Sequence, residues 1–228
     1  LIYAVKHDGR HKARMVADGH LTDVPLDSVY SGVVSLRGLR LVLFLAELNN
    51  LDTYATDIGN AYLEAYTKEK VCFIAGKEFG LLAGHLLIIE KALYGLRTSG
   101  LRWHDKFSDC LHDMGFEPSR AEHDIWMRLN LAHNIYEYIA VYVDNLEIAA
   151  KNCDAIISTL KDKYKFKLKG TGAIKYHLGM DFFRDGDDTL CMAPRKYIEK
   201  ICDSFERMFG HPPKQNVMSP MEKMIILK

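Results

Sequence analysis

Two acidic residues lie far apart in this sequence, and each one ends an apolar stretch. Asp57 closes the alternating residues 51–57, and Asp144 follows the apolar run 136–143. Burying a carboxylate is unfavourable unless a positive charge meets it, so two such acids at strand ends predict a cation site. Mg²⁺ prefers carboxylates combined with substrate phosphate oxygens. The pair therefore favours phosphoryl transfer assisted by two Mg²⁺ ions.

Each acid also has a structural alternative. Asp144 and Asn145 both tolerate tight hairpin turns, which is the commoner use of this pair of residues. Asp57 can cap the segment that begins at Ile58. The apolar flanks of Asp144 favour the ligand role, because they would hold its carboxylate rigidly.

The bulk composition describes a globular chain without a strong electrostatic field. Its 228 residues are 48% hydrophobic and carry a formal net charge of zero, so any nucleic-acid surface must be local. The length suits one large domain or two small ones. The five cysteines include no CxxC pair, which favours reduced thiols and an intracellular protein. No apolar run reaches membrane-spanning length, no signal peptide is visible, and the start at Leu1 predicts a segment of a longer protein.

The elements that must position these acids are helices and strands in irregular order, which predicts an α+β fold. The expected helices cover residues 36–48 after Ser35, residues 99–114 between a cap at Ser99 and a stop at Gly115, a segment capped by Asn152, and a last amphipathic segment opened by Pro194. The expected strands are a hairpin in residues 2–17 turning at Asp8-Gly9, residues 51–58, 71–74 and 86–89, a hairpin of residues 136–143 and 146–149 with Asp144-Asn145 at its tip, and a hairpin in residues 176–192 turning at Asp185-Gly186.

A row of lysines at alternate positions of residues 163–169 predicts one more strand. Such a row can follow a nucleic-acid backbone. It can also protect the edge of a sheet, and we favour that interpretation.

Six short segments resemble reverse transcriptases. Residues 142–145, Tyr-Val-Asp-Asn, resemble the Tyr-x-Asp-Asp box, and residues 57–62, Asp-Ile-Gly-Asn-Ala-Tyr, resemble the first catalytic motif. Residues 93–97, Leu-Tyr-Gly-Leu-Arg, with Trp103 resemble the intervening box of copia-type retrotransposons. Further copia-like segments occur at residues 12–17, 176–179 and 195–198. All six follow the family order, so the chain resembles the RNA-directed DNA polymerase domain of a copia-type Pol polyprotein.

The resemblance implies a right-hand polymerase fold. Its boundaries would be incomplete fingers at residues 1–34, palm at 35–66, fingers at 67–98, palm at 99–190 and an incomplete thumb at 191–228.

The resemblance also implies roles for individual residues. Asp57, Asp144 and Asn145 would be catalytic, with Asp57 and Asp144 as ligands of two Mg²⁺ ions that Mn²⁺ can replace. Tyr62 would be the steric gate that rejects a ribose 2′-hydroxyl, and Gly95 would border the incoming dNTP.

Five more residues complete the implied substrate contacts. Lys12 and Arg14 are candidate triphosphate contacts, although exposed strand charge explains them as well. Tyr142 would lie near the primer end, and the primer grip would include Leu178 and Gly179.

The implied partners are dNTPs and a primer on an RNA or DNA template. The resemblance further implies a polyprotein with integrase and RNase H, no membrane, and an intracellular location in a cytoplasmic retrotransposon particle.

Asn145 departs from the family pattern, because it replaces the second acid of the box. Loss of one charge should weaken the metal at the primer hydroxyl, so we predict a crippled polymerase. Thr98, Gly100 and Leu101 also depart from the copia-type middle box. Compared with the family pattern, we expect parts of the fingers and thumb and an RNase H segment to be missing from this sequence. A fragment or decaying genomic copy is therefore expected. Two alternatives stay open: a catalytically dead primer–template-binding remnant, and a gene fragment that does not fold alone.

Overall fold

The computed structural model describes residues 1–5, 9–25 and 28–213. The chain divides into two compact units, Leu1–Ile174 and Lys175–Lys228. Asp8 of the predicted first turn and residues 214–228 lie outside the described residues. In the part of the chain that is described, no helix is both long and apolar enough to cross a membrane.

The first unit contains four helices among its described residues, namely α1 (Leu36–Leu48), α2 (Ala61–Glu64), α3 (Ser99–Asp113) and α4 (Cys153–Asp162). Its strands are β1 (Ile2–Val5), β2 (His11–Arg14), β3 (Asp52–Ile58), β4 (Tyr66–Ile74), β5 (Leu86–Lys91), β6 (Glu117–Pro118), β7 (Ile125–Asn130), β8 (Ile135–Tyr142), β9 (Asn145–Ala150) and β10 (Leu168–Ala173). Short 3-10 turns occupy Gly19–Leu21 and Lys77–Leu82.

An antiparallel sheet in the order β10-β3-β9-β8-β7-β6 organises this unit. Because side chains alternate along a strand, β9 directs Leu146 and Ile148 to one face, where they join the main hydrophobic core with α3 and α4. Helix α1 contacts β3, β8 and β9, and its buried residues lie outside that core, so it covers the opposite face. Glu147 is buried on that face. The predicted α+β class is confirmed.

Smaller sheets complete the two units. In the first, β1 pairs with β2 as predicted, and the expected strands at 71–74 and 86–89 belong to the longer pair β4 and β5. In the second, β11 (Tyr176–His177), β12 (Met180–Arg184) and β13 (Leu190–Ala193) form one sheet that helix α5 (Arg195–Phe209) contacts.

The helix starts follow from local chemistry at two of the three predicted caps. The Ser35 hydroxyl accepts a hydrogen bond from the Gly38 amide, and the Asn152 side chain accepts one from the Ala155 amide. The Ser99 cap is wrong. Thr98 occupies the cap position of α3, and the Ser99 hydroxyl instead donates to the Leu93 carbonyl at 2.6 Å.

The predicted tip of the β8–β9 hairpin is wrong by one residue. Tyr142 pairs directly with Asn145, so the two-residue loop consists of Val143 and Asp144. Asn145 therefore begins a strand instead of lying in the turn.

The predicted lysine strand at 163–169 is also wrong. Residues 163–167 are not in a strand, and Lys163 pairs with Asp113 at 2.6 Å. Only Lys169 of the four lysines belongs to β10, which does form an edge of the main sheet.

Candidate active site

Strand register brings the two acids of the sequence prediction together. Asp57 in β3 lies directly opposite Asn145 in β9, and the Ile58 amide donates to the Asp144 carbonyl at 2.7 Å. The segments that carry Asp57 and Asp144 are thus joined by a backbone hydrogen bond beside both acids. The strand pairing brings the two acids close together.

The loop that presents Asp144 has a strained backbone. Val143 has a φ of 56°, in the left-handed region that β-branched residues avoid. Such a conformation costs about 1–3 kcal/mol and persists only where the surroundings hold it. The strain lies next to a predicted catalytic residue, which is where stored strain often occurs.

A cavity of about 550 Å³ joins these acids to a group of basic side chains. Asp57 and Asp144 both line it. The basic residues around it are Arg10, His11, Lys12, Arg14 and Lys169. The cavity therefore combines a carboxylate pair with several cations, which suits a ligand that brings both a metal and phosphate oxygens.

The electrostatics of Asp144 reflect these neighbours. Burial raises the pKa of Asp144 and the negative charge of Asp57 raises it further, while Arg14 and Lys12 act in the opposite direction. The side-chain amide of Asn145 donates a hydrogen bond to Asp144 Oδ1 at 3.0 Å. A bound cation would stabilise the ionised form of Asp144, which burial and the charge of Asp57 disfavour.

The residues present fit a divalent cation only with help from substrate. Within the described ranges, no group of three or more His, Cys, Asp or Glu side chains is arranged to hold a metal ion. Asp57 and Asp144 supply two carboxylates, and Asn145, directly opposite Asp57, carries an amide in place of a third acid. Mg²⁺ is commonly bound by one or two carboxylates plus substrate phosphates, so the pair is chemically adequate.

A pair of tilted aromatic rings flanks the cavity. The rings of Tyr62 and Tyr94 lie 4.9 Å apart between centroids, and the Arg14 guanidinium lies 4.9 Å from the Tyr94 ring centre. Tyr94 lines the large cavity, whereas Tyr62 lines a small neighbouring one with Trp103 and Val143.

The backbone geometry at position 95 requires a glycine. Its φ is +90°, and a Cβ at this position would lie 2.0 Å from the Ala17 carbonyl oxygen. The Ala17 amide donates to the Tyr94 carbonyl at 2.7 Å, so the two segments approach closely here. Gly95 is absent from the cavity lining, although its neighbours Leu93 and Tyr94 belong to it. Its contact with a dNTP stays a prediction.

Gly95→Ala is expected to lower the free energy of unfolding by about 3 kcal/mol, because a clash adds to the unfavourable positive φ. Gly84→Ala is the matched control, since Gly84 has a φ of +82° but nothing within 4 Å of an added Cβ. That control should lose only about 1 kcal/mol. Urea unfolding of both variants measures the difference, and equal losses would refute the close approach as the cause.

The predicted primer contacts fall in both units. Tyr142 is exposed at the end of β8, beside the Val143-Asp144 loop. Leu178 and Gly179 form the two-residue turn between β11 and β12, with φ values of 46° and 85°. They line a groove of about 370 Å³ within the second unit.

The sequence prediction misses several cavity residues, including Arg10, His11, Tyr94 and Lys169. The motif around Gly95 contains Tyr94 without marking it as a site residue. The lysine pattern does not distinguish Lys169 from three other lysines, yet Lys169 pairs directly with Asp57. A Cβ on Gly59 would lie 2.9 Å from Lys169 Nζ, so the ammonium approaches the backbone just after Asp57. The pairing of β10 with β3 spans more than a hundred residues, and no local signal reveals it.

The site thus combines paired carboxylates with basic side chains on an α+β fold. The family model described as "Reverse transcriptase (RNA-dependent DNA polymerase)" matches residues 2–222. The chain belongs to this family.

Relatives are found among retrotransposon polyproteins. The chain is 24% identical over 222 residues to the "Retrovirus-related Pol polyprotein from transposon TNT 1-94" of Nicotiana tabacum, covering 92% of this chain and 17% of the relative. It is 31% identical over 177 residues to the "Transposon Ty1-LR2 Gag-Pol polyprotein" of Saccharomyces cerevisiae, covering 75% and 10%. The chain thus spans less than a fifth of these relatives. The predicted copia-type reverse transcriptase family is confirmed.

Proposed function

We propose that this chain is a template-directed DNA polymerase domain that transfers deoxynucleotides from dNTPs to a primer 3′-hydroxyl, copying RNA or DNA. The single observation that carries the proposal is the cavity in which Asp57 and Asp144 face a group of basic side chains. Family membership supplies the reaction class.

Asp57 and Asp144 would hold the divalent metal together with triphosphate oxygens, as two Mg²⁺ ions or with Mn²⁺ in their stead. When bound, these ions supply Lewis-acid activation of the primer hydroxyl and charge neutralisation at the leaving pyrophosphate. Asn145 can offer only a neutral amide oxygen there, so the site is expected to work slowly.

The remaining residues of the proposed site bind and orient substrates. Lys12 and Arg14 would bind triphosphate oxygens, and Lys169 joins them because its strand runs beside Asp57. Gly95 would lie next to the nucleotide, behind Leu93 and Tyr94, which line the cavity. Tyr142 would approach the primer end.

Leu178 and Gly179 would belong to the primer grip. Their two-residue turn joins β11 to β12 and lines a groove within the second unit, which supports this assignment.

The antiparallel sheet with helices on both faces supports a palm. We assign residues 35–66 and 99–190 to it, residues 1–34 and 67–98 to fingers, and residues 191–228 to the start of a thumb.

Polyprotein context follows from the relatives, which are named as Pol or Gag-Pol polyproteins. We infer the same context for this chain, with integrase and RNase H encoded alongside it and an intracellular, cytoplasmic particle as its location. Primer–template and dNTPs are the expected partners.

Tyr62→Ala is expected to increase ribonucleotide incorporation relative to deoxynucleotide incorporation by roughly tenfold to a hundredfold, since loss of the ring admits a 2′-hydroxyl. Tyr62→Phe is the matched control, because it keeps the ring packed against Tyr94 and should keep the discrimination. Single-nucleotide incorporation with paired rNTP and dNTP measures the ratio. An unchanged ratio in the alanine variant would remove Tyr62 from this role.

The experiment that tests the proposed function is Mg²⁺-dependent extension of a DNA primer on an RNA template. Asp57→Asn should abolish extension. Asp52→Asn, an exposed change in the same strand, should leave it intact. Extension that survives Asp57→Asn would argue against the proposed site.

A second candidate function is a primer–template-binding remnant without catalysis. The observation that favours it is the hydrogen bond from the Asn145 amide to Asp144, which engages one carboxylate oxygen. Such a remnant would bind primer–template with steep salt dependence and incorporate no nucleotide. If instead the chain lacked cooperative unfolding, the alternative of a gene fragment that cannot fold alone would hold.

A further inference from the structure

Both carbonyl groups of the Val143-Asp144 loop are held by donors from other elements. The Trp103 indole Nε1 donates to the Val143 carbonyl at 2.7 Å. The Ile58 amide donates to the Asp144 carbonyl at the same distance of 2.7 Å. The first donor belongs to α3 and the second to β3, so the loop is hydrogen-bonded to two elements that are distant in sequence.

The Trp103 indole is itself fixed in orientation. Trp103 is 2% exposed, lies nearly parallel to Phe107 at 5.2 Å, and meets Phe166 edge-on at 5.7 Å between centroids. Because the indole has one donor and no acceptor, this packing aims its N–H at a single partner. That partner is the carbonyl of the one loop residue whose backbone is strained.

We propose that Trp103 is a positioning residue for Asp144: its hydrogen bond holds Val143 in the left-handed conformation and thereby fixes where the Asp144 carboxylate points. This role rests on the proposed function of Asp144 as a metal ligand. Trp103 does not touch substrate in this scheme and acts only through the loop. Without the indole N–H, the loop relaxes toward ordinary φ values and the acid pair loses its fixed spacing.

The alternative is that Trp103 only fills the core, and two substitutions distinguish these roles. Trp103→Phe keeps an aromatic ring and removes the donor. Trp126→Phe is the matched control, because Trp126 is similarly buried and its ring lies nearly perpendicular to that of His112, 5.0 Å between centroids, whereas the two loop carbonyls accept from Trp103 and Ile58. Both changes remove similar core volume, so stability alone will not separate them.

Native-state hydrogen exchange provides a readout that is independent of activity. The reporter is the Ile58 amide, bonded to the loop, and the internal reference is the Val34 amide, bonded to the Val141 carbonyl at 2.8 Å. We expect Trp103→Phe to reduce the protection of Ile58 relative to Val34 by about tenfold, the effect of one lost hydrogen bond. Trp126→Phe should leave the ratio unchanged. An unchanged ratio in Trp103→Phe would overturn the proposal.

A double variant provides a second test of the proposal. Glycine adopts positive φ without strain, so adding Val143→Gly to Trp103→Phe should restore the Ile58 ratio. If the ratio stays low in the double variant, the indole does not act by holding the strained residue, and the proposal fails.

Primer extension in a chain carrying Asn145→Asp then tests the consequence for catalysis. Trp103→Phe should slow single-turnover incorporation at saturating dNTP by about tenfold to a hundredfold, because a small displacement of a catalytic group has effects of this size. Val143→Gly should recover most of it. If Asn145→Asp itself extends nothing, the proposed function fails, whereas hydrogen exchange still decides whether Trp103 holds the loop.

Discussion

Asn145→Asp is expected to raise the rate of Mg²⁺-dependent primer extension by about two to three powers of ten. The new carboxylate adds a negative charge beside Asp57 and Asp144, which strengthens the cation site where the primer hydroxyl must be activated. Rates of single-nucleotide incorporation by the chain and by this variant measure the gain.

The position of Asn145 explains why one substitution should have so large an effect. It lies directly across the sheet from Asp57, and its amide donates to Asp144 Oδ1. Aspartate cannot donate this hydrogen bond and repels the other two acids. The variant should therefore be less stable than the parent chain without Mg²⁺ and gain more stability when Mg²⁺ is added.

Asn145→Ala is the control for this prediction. It removes the same hydrogen bond without adding charge, so it should bring no gain in rate. If Asn145→Asp folds cooperatively and extends no faster than the parent chain, the missing charge is not what limits this site.

The free energy of unfolding of the parent chain is expected to fall by roughly 5 kcal/mol between acidic and mildly alkaline pH. Glu147→Leu is expected to abolish this fall. Glu147 is fully buried, and neither carboxylate oxygen has a hydrogen-bond partner among the described residues. Burial raises the pKa of Glu147 from 4.5 to about 8. Its cross-strand neighbours Ala55 and Ala140 offer no cation.

The sign of the pH effect follows from proton binding. The folded chain keeps the Glu147 proton up to about pH 8, whereas the unfolded chain releases it near pH 4.5. Between these values the folded state binds more protons, so its stability falls as pH rises, by about 1.4 kcal/mol per pH unit. Above about pH 8 this contribution levels off.

Urea unfolding at pH 5, 6.5 and 8 measures the effect as a difference between variant and parent, which cancels the other titrating groups. The difference should grow with pH for Glu147→Leu. The stability difference between Glu147→Gln and the parent should also grow with pH. The glutamine variant should stay less stable than the leucine variant, because its buried amide keeps unsatisfied polar atoms. Parallel pH profiles for parent and leucine variant would show that Glu147 is not buried in this way.

Local patterns predicted much of this fold. Ser35 and Asn152 cap their helices because their side-chain oxygens accept hydrogen bonds from backbone N–H groups of the first helical turn. Asp57 and Asp144 were found because acids at the ends of apolar strands are unusual. The family motifs then related them to one another.

What the sequence could not predict depends on pairing over long distances. The identity of the loop residues follows from the β8–β9 register, which allows a strained Val143 that no local rule favours. Lys169 gains its position only through the pairing of β10 with β3. The burial of Glu147 arises because α1 covers that face of the sheet, and an alternating strand pattern alone would direct this residue to solvent.

The central claim is that Asp57 and Asp144 form one metal-dependent polymerase site. It is tested most directly by single-nucleotide incorporation in Asn145→Asp, compared with the same chain also carrying Asp57→Asn. We expect the first to add the templated nucleotide only with Mg²⁺ or Mn²⁺, and the second to be slower by about three powers of ten or more at equal primer–template affinity. Equal rates, or no incorporation by a folded and primer-bound Asn145→Asp chain, would contradict the claim.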